Sequence, residues 1–301
     1  METKSVQTVT GPVEPSALGL TYSHEHLALN PRPDMEECIL WDTEVMEQEV
    51  RAFTEAGGHT IVDSAPMNFG RDVRRLQKIS TDTGILVVCT TGFHKQEFIP
   101  SWAEQMEDRA LKALLAKELS EGIEGTTIRA GVMKCGTSNG HITEQERRII
   151  RLISEVSGET GFPISTHTDH GTMGLEQCTL FEEYGVNPQR VLLGHVDIPN
   201  NLDYLIKICD RGFNIMIDHV GRRPGDTVKL AILRHLIERG YLHQIFLSGD
   251  MGKKSYLPCY GGAPGLGYIA GQLRCQAEEA GISAGQMKTI LVDNPAVFFA
   301  T

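Results

Sequence analysis

The sequence predicts an α/β chain folded as a (β/α)8 barrel, and three observations point there. Short apolar, β-branched runs alternate with amphipathic stretches, eight such pairs fill the chain, and no Gly-x-Gly-x-x-Gly turn follows the first run as an open dinucleotide-binding sheet would require. At 301 residues the chain has a length that barrels of this kind reach as one unit, so a single domain over residues 1–301 is expected. The strands are predicted at 18–27, 60–65, 85–93, 128–135, 163–168, 191–196, 213–220 and 245–250. Between and after them, helices are predicted at 44–55, 71–81, 102–119, 144–159, 175–184, 202–210, 228–238 and 266–280. The clearest is 102–119, where Leu111, Leu114 and Leu115 recur at helical spacing among Glu, Lys and Arg, with Gly122 as a stop.

Composition narrows the function. With 41% hydrophobic and 22% charged residues the chain reads as an ordinary globular protein, and no apolar stretch approaches the roughly 20 residues of a membrane span. A net charge of -11 without a long basic run argues against nucleic acid as a partner. The 7 cysteines are odd in number and include no Cys-x-x-Cys pair, which suits reduced thiols. No basic region followed by an apolar segment opens the sequence, so a cytoplasmic location is expected.

A barrel assembles its active site at the carboxyl ends of its strands, so polar residues closing each apolar run are the candidates. The first run ends Ser23-His24-Glu25-His26, and side-chain alternation points both histidines to one side. By itself such a pair equally describes two hydrogen-bonded, half-buried histidines. The fourth run ends in Lys134, the fifth in His167, the sixth in His195 and the eighth in Asp250. A lone lysine there would reach past the rim to solvent, and a lone aspartate would cap a helix. Coordinating residue types at the same end of five strands make a metal site the better reading.

This set, with Gly131-Val132-Met133-Lys134, Gly194-His195-Val196-Asp197, Asp218-His219 and Asp293-Asn294-Pro295-Ala296, resembles the phosphotriesterase family of the amidohydrolase superfamily over essentially the whole chain. The resemblance implies two divalent metal ions, with zinc expected and manganese or cobalt also fitting, bridged by an N6-carboxylated Lys134 and a hydroxide. His24, His26 and Asp250 would hold the more buried ion, and His167 and His195 the more exposed one. A carbamate at Lys134 is physically sensible, because an ammonium between two dications would be repelled whereas a carbamate offers two anionic oxygens. Asp250 and His219 would carry the proton away, with Asp197 the nearest further acid. Ile198 stands where relatives that hydrolyse organophosphates carry an acid.

The loops after the seventh and eighth runs bear on the substrate. Arg222 in Gly221-Arg222-Arg223-Pro224-Gly225, with Lys253 and Tyr256, forms a cationic set similar to that of the branch that opens phosphorylated sugar lactones. As ordinary solvated loop residues they would carry no such meaning. Phe93 and His94 are expected to line the pocket, and Tyr22 and Met67 to join them. The glycines at 261, 262, 265 and 267 would suit a mobile lid. The expected activity is hydrolysis of a small-molecule lactone or phosphoester, foremost a phosphorylated sugar lactone. The alternatives are an N-acyl-homoserine lactonase, an organophosphate hydrolase and an amidase. The resemblance allows a homodimer.

Overall fold

Every predicted apolar run carries a strand in the computed structural model, which describes residues 4–222 and 226–301. A hairpin of β1 (Val6–Thr8) and β2 (Gly11–Val13) comes first, unforeseen because it is only three residues per strand and includes Pro12. The barrel strands are β3 (Thr21–Glu25), β4 (Thr60–Asp63), β5 (Leu86–Val88) with β6 (Thr90–Gly92), β7 (Val132–Thr137), β8 (Ile164–Thr168), β9 (Val191–Leu193), β10 (Asn214–Ile217) and β11 (Ile245–Leu247). All their pairings are parallel, in the order β3-β4-β5 and β6-β7-β8-β9-β10-β11. Around them run α1 (Thr43–Glu55), α2 (Val73–Thr83), α3 (Ser101–Gln105), α4 (Asp108–Ser120), α5 (Glu144–Thr160), α6 (Gly174–Glu183), α7 (Leu202–Asp210) and α8 (Asp226–Glu238). The chain closes with α9 (Arg274–Glu279), α10 (Ala284–Lys288) and α11 (Asn294–Phe298).

The run at 85–93 is one strand in direction but two in pairing. It leaves β4 at Val88 and joins β7 at Thr90, and the Cys89 carbonyl accepts from the Gly131 N–H at 3.0 Å. Such a handover is how tilted strands keep both neighbours in a closed barrel. Closure between β11 and β3 uses a backbone bond from the Asp250 N–H to the His24 carbonyl (3.2 Å). Ser248 Oγ also serves both ways, donating to that carbonyl and accepting the His24 N–H.

Alternation sorts the strand residues between two cores. Val62, Val88, Val132, Leu192, Met216 and Phe246 fill the barrel floor, plugged from below by Val6, Leu18 and the C-terminal Phe298 and Phe299. Their neighbours, such as Ile61, Val87, Met133 and Leu193, face the helices. Two positions above the floor stand Ser64, Thr90, Lys134, Gly194, Asp218 and Ser248, so the polar layer sits directly on the apolar one.

Two expectations change. The helix predicted at 102–119 is α3 and α4, broken at Met106 and Glu107, whose backbones are extended. Arg148 of α5 donates to the carbonyls freed at the break, those of Ala103 (3.1 Å), Glu104 (3.3 Å) and Met106. The helix predicted from residue 71 starts at Val73 under an Asp72 cap, and Arg71 turns inward instead. Its side chain, 1% exposed, donates to both oxygens of Glu118 (2.7 and 2.9 Å) and to the Thr90 carbonyl (2.9 Å).

Breaking that buried pair leaves Glu118 uncompensated. Arg71→Met should cost about 3–5 kcal/mol of unfolding free energy in urea, and pairing it with Glu118→Leu should recover most of the loss. Equal loss in the single and double variants would show that packing, and not charge, dominates at this position.

Candidate active site

Above the polar layer lies a cavity of about 420 Å³ whose wall includes His24, His26, Lys134, His167, His195, His219 and Asp250. Six strands and the turns that follow them bring these residues to one place. His24 and His26 approach Asp250 Oδ1 through Nε2 at 3.6 and 3.2 Å. Lys134 Nζ lies 3.1 Å from His24 Nε2, and the imidazoles of His24 and His167 lie 4.9 and 4.6 Å from that of His195 between centroids.

Three of these residues hold left-handed backbones that a side chain disfavours: His195 (φ 64°), His219 (φ 56°) and Asp250 (φ 48°). Each follows the end of its strand, and the turn resets the alternation so that His195, three residues beyond the floor residue Leu192, still faces the cavity. Such conformations typically cost about 1–3 kcal/mol apiece and persist where the surroundings over-determine them. Here Asp218 supplies part of the hold, accepting the His195 N–H at 3.0 Å while its Oδ2 lies 2.8 Å from His195 Nδ1.

The donor set suits divalent cations. Nδ1 of His24, Nδ1 of His26 and Nε2 of His167 are buried without a hydrogen-bond partner among the described residues, an expensive arrangement unless something else binds them. Ligand atoms of His24, His26 and Asp250 fall within 4.8 Å of one another. Burial holds the His24 imidazole well below its ordinary pKa and that of His167 at about 3, so both present a free lone pair at neutral pH. Burial also brings the Lys134 amine down to about 8, with no carboxylate in contact among the described residues, so a fraction is unprotonated. His219 behaves oppositely: burial disfavours its charge, but Asp218 and Asp250 on either side overcome that and raise it to about 9.

The cationic set reaches the same cavity. Arg222 lies over the Tyr256 ring at 4.0 Å, with Lys253 Nζ 5.9 Å from that ring, and all three line the wall. Arg222 Nη1 approaches Asp250 Oδ2 at 3.5 Å, while its Nε and Nη2 are buried without partners among the described residues. The rest of the expected loop, Arg223, Pro224 and Gly225, lies outside the described residues.

Several expectations need correction. Phe93 does not line the cavity. Val88 points to the barrel floor, so alternation sends Phe93 outward against Trp102 (centroids 5.9 Å) and leaves His94 in the wall. Tyr22 is also turned away: an irregular register between Tyr22 and Glu25 sends it toward α1, where it packs edge-on to Phe53 and its hydroxyl accepts the Ala270 N–H at 2.6 Å. Met67 lies outside the wall as well. Asp197 is not the acid that holds His219. It pairs with Lys229, and Asp218 Oδ1 lies 3.1 Å from His219 Nδ1. The role of Asp218 escaped sequence reasoning, although its adjacency to His219 was a usable signal. The apolar wall of Leu29, Met35, Cys38, Phe69 and Phe98 comes from loops with no strand or helix pattern to announce it.

Comparison with known proteins agrees with this geometry. The model of the phosphotriesterase family matches residues 4–299. The phosphotriesterase homology protein of Escherichia coli is 31% identical over 289 residues, covering 95% of this chain and 99% of that one. A phospho-furanose lactonase of Mycoplasmopsis synoviae is 29% identical, covering 98% of this chain and 91% of its own. The crystal structure of a lactonase from Listeria monocytogenes superposes with a TM-score of 0.94 at 31% identity, over 98% of each chain. With a matching barrel and a cavity of imidazoles, lysine and aspartate, this chain belongs to the phosphotriesterase family of metal-dependent hydrolases.

Proposed function

We propose that residues 1–301 form one hydrolase unit that opens phosphorylated sugar lactones. The observation that carries the substrate class is Arg222, whose buried Nε and Nη2 have no hydrogen-bond partner among the described residues and sit at the cavity wall beside Tyr256 and Lys253. A guanidinium in such a position favours an anion with several oxygens, and phosphate is the common one. The M. synoviae relative, named a phospho-furanose lactonase, supports the same reading.

In this proposal His24, His26 and Asp250 hold one divalent ion, His167 and His195 the other, and Lys134 joins them. Zinc suits the imidazole-rich set, and manganese or cobalt would also fit. Bound there, two such ions would polarise the ester carbonyl and lower the pKa of water towards neutrality. Lys134 is equipped for carboxylation: its neutral amine attacks carbon dioxide, forming an N–C bond and releasing one proton, and the product is a carbamate anion. That exchange replaces a buried cation with an anion among residues that would hold cations.

Asp250 takes the proton of the attacking water. His219 Nε2, 3.1 Å from Asp250 Oδ2 and 20% exposed at the cavity edge, would pass that proton on once a cation on Asp250 withdraws the negative charge that otherwise keeps the imidazole protonated. Asp218 fixes the His219 ring from the other nitrogen and holds His195 too, so one buried carboxylate orients two imidazoles.

A second reading has its own support. The apolar wall of Leu29, Met35, Cys38, Phe69 and Phe98 would receive an acyl chain or an ester's alkyl groups, which favours N-acyl-homoserine lactones or organophosphates as additional substrates.

The deciding experiment is to reconstitute the protein with metal and assay matched lactones with and without a phosphate. A clear preference in kcat/KM for the phosphorylated member is expected, and equal values would remove the phosphate from the proposal. Arg222→Ala should raise KM for the phosphorylated lactone about tenfold or more while kcat changes little, because it removes binding shared by ground and transition states. An effect confined to kcat would contradict that role. Lys134→Ala should lose most bound metal by elemental analysis and most activity, with partial rescue by a short carboxylic acid and an intact circular dichroism spectrum. Undiminished metal content would end the bridging role. Asp218→Asn should lower metal affinity or kcat by about 10–100-fold, and activity at the wild-type level would leave the two histidines oriented by packing alone.

A further inference from the structure

The loop after β11 carries Lys253 and Tyr256, and its glycines suggest mobility. The structure ties it down with a carboxylate from elsewhere in the barrel. Glu49, on the inner face of α1, is 3% exposed and pairs with no basic side chain among the described residues. Its oxygens are used on the loop instead: Oε1 accepts the Cys259 N–H at 2.7 Å, and Oε2 accepts the Leu266 N–H at 3.3 Å. A carboxylate buried without a cation is disfavoured unless its hydrogen bonds are worth keeping.

The two anchored amides bracket a segment that bonds back to the backbone of Ser255 and Tyr256. Inside that bracket the Gly265 N–H donates to the Tyr256 carbonyl at 2.8 Å, and the Ala263 N–H to the Ser255 carbonyl at 3.1 Å. Gly265 has φ +86°, and a Cβ there would lie 2.6 Å from Pro258 Cδ and 3.1 Å from Glu49 Oε2, so the loop is fitted closely around the acid. Tyr256 in turn carries the Arg222 guanidinium on its ring. A continuous chain of contacts therefore runs from Glu49 through the loop backbone to Tyr256 and Arg222. Its base is firm, because α1 starts under the Asp42 cap and packs Phe53 on Tyr22.

We propose that Glu49 is a positioning residue for substrate specificity, holding the loop of Lys253 and Tyr256 in a preformed arrangement against the cavity. The identity of the group it helps to bind rests on the phosphate reading above; the anchoring itself does not. Glu49 touches neither the cavity nor any proposed metal ligand, so its effect must pass through loop geometry.

The test compares metal-loaded wild type with Glu49→Gln, which keeps the shape but replaces one acceptor oxygen by an NH2 group facing an N–H donor. Two readouts are needed: hydrogen–deuterium exchange across residues 253–267, and steady-state kinetics on a phosphorylated lactone and its plain counterpart. In the wild type, the Cys259 and Leu266 amides should exchange at least tenfold more slowly than the amide of the exposed Lys253, which has no hydrogen-bond partner among the described residues. In Glu49→Gln, exchange should quicken at least tenfold within that loop and nowhere else. KM for the phosphorylated lactone should rise about fivefold or more, with kcat and the plain-lactone KM within about twofold and metal content unchanged. Fast wild-type exchange at Cys259 and Leu266 would overturn the proposal even if the variant failed to fold. Loosened exchange with unaltered KM for both substrates would overturn the specificity role. If wild type treats both lactones alike, the phosphate reading falls, while the exchange data still decide the anchoring.

Discussion

The constraint on which this molecule depends is the burial of Lys134, an amine with 1% exposure in the middle of the polar layer, its Nζ beside an imidazole and in contact with no carboxylate among the described residues. Few side chains are as disfavoured inside a protein as an unpaired lysine. The barrel meets that cost by lowering the amine towards neutrality and surrounding it with groups that bind cations. An amine of which a fraction is neutral, beside the unprotonated imidazoles of His24 and His167, suits the proposed conversion to an anion that would bind metal. Fold and chemistry are joined at this point. The same strand that places Val132 in the apolar floor places Lys134 one layer above it.

The remaining buried charges serve geometry. Glu25 accepts from Ser248 Oγ and from the Gly249 and Met251 N–H groups, at 2.8, 2.6 and 2.7 Å, and so frames the turn that carries Asp250. Asp218 holds two histidines, Glu49 holds the loop beyond Asp250, and Arg71 with Glu118 locks α4 to the third barrel strand. All sit outside the proposed ligand set; Glu25, Asp218 and Glu49 orient something that belongs to it or to the substrate side, whereas Arg71 and Glu118 tie helix to strand. Strain at His195, His219 and Asp250 is held in place by this shell.

The cavity is asymmetric. Arg222, Lys253 and Tyr256 make one wall cationic and polar, whereas Leu29, Met35, Cys38, Phe69 and Phe98 make another apolar. In the function proposed above, a phosphorylated lactone would use the first wall and an acyl or alkyl ester the second, so two substrate classes could share one hydrolytic centre.

Strand order and the residues that close each strand were legible in the sequence, because a parallel barrel forces one apolar run per strand and collects the polar ends on one face. His24, His26, Lys134, His167, His195 and Asp250 are readable for that reason, and the resemblance to a known family names the chemistry they suit. What lay beyond the sequence depends on where alternation is interrupted and on what distant loops supply. A register irregularity turned Tyr22 away, strand parity put His94 and not Phe93 in the wall, and left-handed turns after β9 and β10 aimed His195 and His219 inward. The pairings of Asp218 with His219 and of Glu49 with Cys259 and Leu266 are likewise tertiary, the second spanning more than 200 positions of chain. Periodicity is a local property that a sequence displays; hydrogen-bond partners brought together by barrel closure are not, and only the folded chain selects them.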